Sequence, residues 1–497
     1  MTPSASPVSA SARSSRRRWR SCATRRARSR CATTSSKGHA SVRTLLTIWA
    51  AKLAALALRL TGRAGTHVPG RIARRLHPGI IGAVRHPARV VAVTGTNGKT
   101  TVSNLLAEAL EAEGLRVASN RIGSNLAAGV AMTLIDAVSW TGRSRADVAI
   151  IEMDERSARL ILPGLKPDVL ACTNLTRDSI KRNAHPAYIA WLVSSAVAPS
   201  THLVLNADDL IAASIGGDEN RRTFFAVDRQ PGDGTTPSGA AVDVAICPVC
   251  DHPLSWEYWR FNHIGKAFCP NCGFRAPEAA YRARDVDAAA RQLTLDLDGE
   301  GRRAHLINDN IVNVYNEIAV AATLDQLAVP RDRIVAAFER IAPPTTRFAS
   351  EQVGGTTIVR QLTKGLVGVA CSRAFQYVAA FPGRKSVVLN IDEVSERTTD
   401  VENTAWTYDA DYDYLASDEI EQVVVGGVRR YDQALRLAIA GVDPARIVTV
   451  ADEISGADLV DVEGMAAVAN LHSVHNAVIT GTPVQSRLRS RLGGSAS

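Results

Sequence analysis

Seven consecutive residues, Gly95-Thr96-Asn97-Gly98-Lys99-Thr100-Thr101, have the composition of a phosphate-binding turn. Two glycines let backbone N–H groups close on phosphate oxygens, and a helix beginning just after them would add its dipole. Lys99 is placed to reach the outer phosphates of a nucleotide, and the Thr100 hydroxyl to bind Mg2+. A second constellation is Cys247-Pro-Val-Cys250 and Cys269-Pro-Asn-Cys272, with eighteen residues between the two pairs. Each pair brings two thiolates to one ion from a tight knuckle, the pattern of a closed tetrahedral Zn2+ site. Four cysteines fill the sphere, so the zinc is expected to be structural. His263, between the pairs, is then a packing or solvated histidine. Cys22, Cys31, Cys172 and Cys371 show no partner motif and read as free thiols.

The flanking elements fit these roles. Val90, Val91 and Val93 form a short β-branched run that predicts a buried strand, and Val102 to Glu113, with Leu105, Leu106 and Leu110, predicts a helix. Strand, glycine-rich turn and helix are the context a phosphate loop requires. Val148 to Glu155 reads as a strand ending in carboxylates, and two carboxylate-bearing strand ends beside the loop would suit Mg2+. Strands are predicted near 385–391 and 421–427, the second followed by a helix over 428–441. This alternation predicts an α/β protein with a mostly parallel, doubly wound sheet in each of two domains. The layout expected is a disordered basic tail (1–42), an ATP-binding domain (43–344) carrying a zinc-ribbon insertion (243–278), and a smaller Rossmann-like domain (345–497). Asp228 to Ala241, rich in Gly, Pro and Thr, is the linker into the ribbon.

Composition bounds the rest. With 497 residues, 46% hydrophobic and 22% charged, the chain is too long for one ordinary core and is not a disordered, fibrous or disulfide-scaffold protein. The formal charge is +9, but residues 1–43 hold eleven Lys or Arg and no acid, leaving 9 − 11 = −2 for the body. Nucleic-acid binding is therefore not expected. Leu45 to Leu60 reads as one amphipathic helix, too short and too charged to span a bilayer. Packing on the next domain is the favoured reading of that helix, and lying on a membrane surface is the other. No signal-peptide pattern precedes it, so a cytoplasmic location is expected, with a peripheral site at the inner face of the membrane left open.

The wording Thr94-Gly95-Thr96-Asn97-Gly98-Lys99-Thr100-Thr101 resembles the Mur ligase and folylpolyglutamate synthetase superfamily, whose members activate a carboxylate as an acyl phosphate for attack by an amine. The resemblance implies that Glu152 holds Mg2+. It also matches Thr173 to Asp178 with the next strand-end motif and Val204 to Asp209 with the strand that closes the central sheet. Asn316, in Asn308 to Asn316, would meet the adenine, and Arg347 would contact ATP at the entrance to the last domain. The ribbon, and Val423 to Val442 in the last domain, narrow the resemblance to the MurT family, the ligase subunits of lipid II isoglutaminyl synthases. That implies ATP-dependent amidation of the α-carboxylate of D-glutamate in lipid II, with ammonia from a GatD-type glutaminase partner. An amino-acid ligase of the Mur or folylpolyglutamate type, or a non-catalytic ATP-binding scaffold, are the alternatives.

The resemblance is weakest at the amidotransfer edge. Thr363 to Val369 keeps Lys364 and Gly368 of the family's K-N-P-A-G-F pattern but loses its Asn, Pro and Phe. In the family an Asp of the last domain completes the partner's Cys–His triad. Counting back from Trp406 places Asn403 there, which cannot carry that charge. Asp400, three residues earlier, is the residue favoured for the role. Arg177 to Arg182 departs from the family's usual R-D-Q-L-D-R.

Overall fold

The computed structural model describes residues 41–62, 65–121, 124–178, 185–307, 310–340, 348–363, 367–391, 404–473 and 481–493. The chain begins with helix α1 (Val42–Leu60) and helix α2 (His67–Leu76). The Ser41 hydroxyl caps α1 by accepting from the Thr44 N–H at 3.2 Å, so the helix starts within the stretch assigned to the tail. Thr44, Thr47, Ile48 and Ala51 are its buried face, packed on α2 and on a later helix of the first domain.

Strands β1 (Arg89–Thr94), β2 (Val117–Ser119), β3 (Val148–Glu152), β4 (Val169–Cys172), β5 (His202–Asn206) and β6 (Arg222–Val227) are joined by crossover connections into a parallel sheet. Helix α3 (Lys99–Ala112) follows β1, and helix α4 (Ala127–Asp136) lies on the other face. Burial on both faces explains the unbroken apolar runs: every residue of β1 is buried. Val91 and Val93 join the core with α3, while Val90 and Ala92 join the core with α4.

Beyond β6 the chain inserts a hairpin, β7 (Ser255–Phe261) and β8 (Ile264–Phe268), then returns as β9 (Tyr281–Asp287), β10 (Gln292–Leu297) and β11 (Glu300–His305). Among the described residues the sheet has nine strands in the order β11-β10-β9-β6-β5-β4-β1-β3-β2. One sequence expectation is corrected here. The strand ending in Asn206 does not close the sheet, because β6 pairs with it through Leu203↔Arg222 to Asn206↔Phe225. The sheet also carries an antiparallel extension, β9 to β11, whose apolar face (Leu293, Leu295, Leu297) is covered by helix α5 (Ile311–Gln326).

The last domain has its own core. Strands β12 (Phe348–Val353), β13 (Thr356–Thr363), β14 (Lys385–Asn390), β15 (Ile420–Gly426), β16 (Ile447–Val450) and β17 (Ala467–Ser473) form a sheet in the order β12-β13-β17-β14-β15-β16, parallel except for β12 at its edge. Helix α6 (Gly368–Ala380) and helix α7 (Arg430–Ile439) flank it. Among the described residues no helix is long and apolar enough to cross a membrane.

Candidate functional site

The phosphate loop leaves the carboxyl end of β1, which lies between two strands that end in polar segments. Val93 stands beside Glu152 of β3, and Thr94 beside Cys172 of β4. The segment after β4 binds the loop directly. Asn174 accepts from the Thr96 N–H at 2.8 Å and, through its side chain, from the Asn97 N–H at 3.1 Å. The Thr173 hydroxyl donates to the Asn97 carbonyl at 2.5 Å, and the Thr96 hydroxyl to the Thr176 carbonyl at 3.0 Å. The loop is therefore fixed by protein contacts, and the N–H groups that follow it open helix α3.

Glycine is required at both positions. Gly95 has φ +130° and Gly98 φ +86°, conformations that L side chains rarely adopt. A Cβ on Gly95 would lie 2.2 Å from Thr173 Oγ1, and one on Gly98 would lie 2.1 Å from Asn316 Oδ1. Asn316, expected from the sequence at an adenine, thus packs at the phosphate end. It is 1% exposed; its Nδ2 donates to Asn313 Oδ1 at 3.2 Å, and its Oδ1 is buried with no partner. A glycine cradle that leaves no room for a Cβ at either position fits the close approach of a nucleotide's phosphates.

Lys99, the first residue of α3, folds back over the loop. Its Nζ donates to the Gly95 carbonyl and to Glu155 Oε1, the latter at 2.6 Å. Burial alone would lower the lysine's pKa, but the Glu155 carboxylate, with Glu152 and Asp178 nearby, raises it, so the ammonium stays charged. Glu155 is 1% exposed and was not singled out in the sequence, where Glu152 was expected to be the active carboxylate. Glu152 is only partly buried. Asn125 Nδ2 donates to its Oε1 at 3.2 Å, while Asn120 clasps its backbone N–H and carbonyl at 2.9 and 2.8 Å. Thr100 is exposed at the head of α3, and Thr101 is partly buried. Thr100 and Glu152 thus offer oxygen donors to a hard cation. Arg347, Lys364, Asp400 and Asn403 lie outside the described residues.

The four cysteines of the ribbon converge: their Sγ atoms all lie within 4.8 Å of one another. Cys247 and Cys272 are 3.6 Å apart, and Cys250 and Cys269 3.5 Å. A tetrahedron with Zn–S bonds of about 2.3 Å has edges of about 3.8 Å, so the donor set fits zinc. Asn271 and the His252 N–H favour the Cys250 thiolate, while its cysteine neighbours hold the Cys272 thiol up, so the cluster shares its charge unevenly without an ion. Among the described residues this is the one group of three or more such donors close enough to share an ion.

The hairpin of the ribbon is clamped to the parallel sheet by two buried aspartates. Asp208 accepts from Tyr258 at 2.7 Å and Tyr315 at 2.6 Å, with Arg260 at 3.7 Å. Asp209 accepts from His263 at 2.9 Å, from the Ile211 and Ala212 N–H groups, and from the Leu175 N–H at 2.6 Å. Leu175 sits between Asn174 and Thr176, the residues that cradle the phosphate loop. His263 is thus a buried packing histidine joined to that cradle through two hydrogen bonds, by way of Asp209. Burial alone would lower its pKa, but Asp209 and Asp243 raise it.

The last domain meets the first through Arg177, whose guanidinium bridges Asp243 and Asp409, each at 2.8 Å. Asp411 accepts from the Ala240 N–H of the linker, and Arg373 stacks on Phe261 of the hairpin, 4.9 Å from the ring centroid. At the carboxyl ends of β14 and β17, Asn390 pairs in register with His472, and both are buried. Burial, with the Arg360 cation near it, lowers His472 to about 3 and keeps the imidazole neutral. A separate cavity of about 580 Å³ opens between α1 and the β2 edge, lined in part by Arg59, Arg116, Arg121 and Asn120. No residue of the phosphate loop lines it.

Comparison with known proteins places these features. Residues 93–228 match the Mur ligase middle domain, and residues 367–469 match the MurT ligase C-terminal family. The MurT subunit of lipid II isoglutaminyl synthase (glutamine-hydrolyzing) from Staphylococcus aureus is 28% identical over 400 residues, which is 80% of this chain and 88% of that protein. Its counterpart from Streptococcus pneumoniae is 26% identical over 82% of this chain and 89% of its own length. In fold, the chain resembles a pseudomurein peptide ligase type C from Methanothermus fervidus (TM-score 0.58, 20% identity, 82% of this chain and 79% of that one). It also resembles the MurF ligase from Thermotoga maritima solved in complex with ADP (TM-score 0.53, 15% identity, 85% and 83%).

Proposed function

The chain belongs to the MurT family of Mur ligases, and from that premise we propose that it is an ATP-dependent ligase that amidates the D-glutamate α-carboxylate of lipid II. The observation that carries the reading is the glycine cradle with Lys99 held over it by Glu155. In this reading residues 43–344 bind ATP, with the ribbon (243–278) as their insertion, and residues 345–497 form the amidotransfer domain.

Gly95 to Thr101 hold the nucleotide's phosphates, with Asn316 and Arg347 as further nucleotide contacts. Lys99 neutralises charge as the γ-phosphoryl group passes to a carboxylate oxygen, giving the acyl phosphate and ADP. Ammonia then attacks the acyl carbon, phosphate leaves, and the amine loses a proton. Mg2+, when bound through Thr100 and Glu152, screens phosphoryl charge. Asn120 and Asn125 orient Glu152 for this. Zn2+ on Cys247, Cys250, Cys269 and Cys272 is structural. The ammonia comes from a GatD-type glutaminase subunit, whose triad Asp400 completes. The Tyr431, Leu435 and Ile439 side chains, exposed in a row along α7, offer an apolar face in the domain that carries Asp400.

The deciding experiment is amidation of lipid II by the purified chain with ATP and Mg2+, comparing ammonium with glutamine plus the glutaminase subunit. Product from both donors supports the whole reading. Product from ammonium alone removes the partner's part of it, and no product from either removes the ligase reading. Asp400→Ala should impair the glutamine-driven reaction and spare the ammonium-driven one; equal loss in both would exclude a role in the triad.

A further inference from the structure

Helix α1 buries one face and leaves another bare. Val42, Leu46, Trp49, Leu53, Leu56 and Leu60 are 75, 55, 43, 57, 49 and 81% exposed. They recur at alternating intervals of four and three, so they form a single seam along a helix about 28 Å long. The seam continues onto Trp140, itself 45% exposed, whose carbonyl accepts the Trp49 indole N–H at 2.7 Å. Lys52 Nζ donates to the Val138 carbonyl and lies 5.8 Å from the Trp140 ring centroid. An exposed strip of aliphatic and indole side chains of this extent is unusual on a soluble face.

The stretch of chain that carries the seam is charged with one sign, and Asp136 at the end of α4 is a carboxylate beside Lys52 and Arg59. From Met1 to Ala107 the sequence holds twenty Lys or Arg and no Asp or Glu; the first carboxylate is Glu108. Arg43 and Arg59 on α1, and Arg71 and Arg75 on α2, are exposed beside it. A seam with this spacing would also suit a second helix. Pairing two copies, however, would bring these cations together, with Asp136 beside Lys52 and Arg59 offsetting only part of their charge. Aliphatic side chains flanked by indoles and cations are instead the composition of a helix lying in a bilayer interface, and the cations select anionic headgroups.

We propose that α1 docks the chain on an anionic bilayer surface. Leu46, Leu53, Leu56 and Leu60 enter the acyl boundary, Trp49 and Trp140 sit at headgroup level, and Arg59 lies against lipid phosphates. This assignment stands whether or not the amidation reading does, since its test needs no substrate.

The test is sedimentation of the full chain with vesicles of phosphatidylcholine alone or mixed with phosphatidylglycerol, alongside the triple variant Leu46→Glu, Leu53→Glu, Leu56→Glu. All three side chains are exposed, so the variant should fold, and unchanged circular dichroism and zinc content check this. The chain should bind the mixed vesicles, bind phosphatidylcholine at least about tenfold more weakly, and lose at least about tenfold in partitioning in the variant. No binding to mixed vesicles overturns the proposal. Equal binding by the variant also overturns it, because the basic tail alone would then account for adsorption. A dimer in solution that the variant dissolves, without vesicle binding, assigns the seam to a second copy instead.

Discussion

Two side chains define how the phosphate loop works, and each can be tested singly. Lys99 is charged and held over the loop by Glu155, so Lys99→Ala should reduce ATP turnover by about 10²- to 10³-fold while leaving the fold and bound metal intact. Turnover near the wild-type rate would remove the loop from the reaction. Gly98→Ala asks a steric question: the new methyl would meet Asn316 at 2.1 Å in a backbone region it resists. Nucleotide affinity should fall at least about tenfold in a titration, at a cost of about 1–3 kcal/mol in strain. Undiminished binding would show that Asn316 yields and does not back the loop. The loop residues were legible in the sequence because they are contiguous and chemically distinctive. Glu155 was not. Glu152 ends the strand, and the turn that brings Glu155 rather than Glu152 onto the lysine depends on the Asp154-capped 3₁₀ turn, which composition does not reveal.

At the scale of elements, the ribbon and the sheet share one buried polar seam. His263 and Asp209 pair at 2.9 Å with both side chains fully buried, and the histidine's folded-state pKa is raised. Its stabilisation is therefore complete below the ordinary histidine value of about 6.5 and is lost as pH rises through the higher folded value. Thermal melts from acid-neutral to mildly alkaline pH should show the wild type losing stability through that window. His263→Ala should be less stable throughout, by about 2–4 kcal/mol, with a flatter profile. A parallel pair of profiles would mean that the imidazole stays neutral. The sequence announced the four cysteines and the hairpin between them, because ligand spacing is a local property. It did not announce β9 to β11, since a strand's partners are set across the molecule, and β6 and β9 pair across the whole insertion.

For the molecule as a whole, Arg177 is the contact that ion-pairs the two domains through both of its partners. It joins Asp243, 2% exposed beside the ribbon, to Asp409 in the last domain. Arg177→Ala should lower kcat by about tenfold or more, with KM for ATP changed less than about threefold, because the cradle is intact and domain alignment is not. A rise in KM matching the fall in kcat would place Arg177 in nucleotide binding instead. The two-domain α/β plan was legible from alternating patterns. The pairing of Arg177 with Asp409, 232 residues away, was not, since nothing local marks which arginine meets which aspartate.

The two adjacent aspartates after β5 also constrain how the chain is made. Synthesis runs from the amino terminus, so β1 to β6 emerge from the ribosome before Tyr258, Arg260, His263 or Tyr315. Until those arrive, the nascent half-sheet holds Asp208 with the Val227 N–H and Asp209 with the Leu175, Ile211 and Ala212 N–H groups, but without the side chains that complete their compensation in the finished protein. Asp209 also holds the Leu175 N–H beside the phosphate cradle. A fragment ending at Val227 would contain the whole phosphate loop and yet lack Asn316 behind it and the side chains that complete the pairing of Asp208 and Asp209.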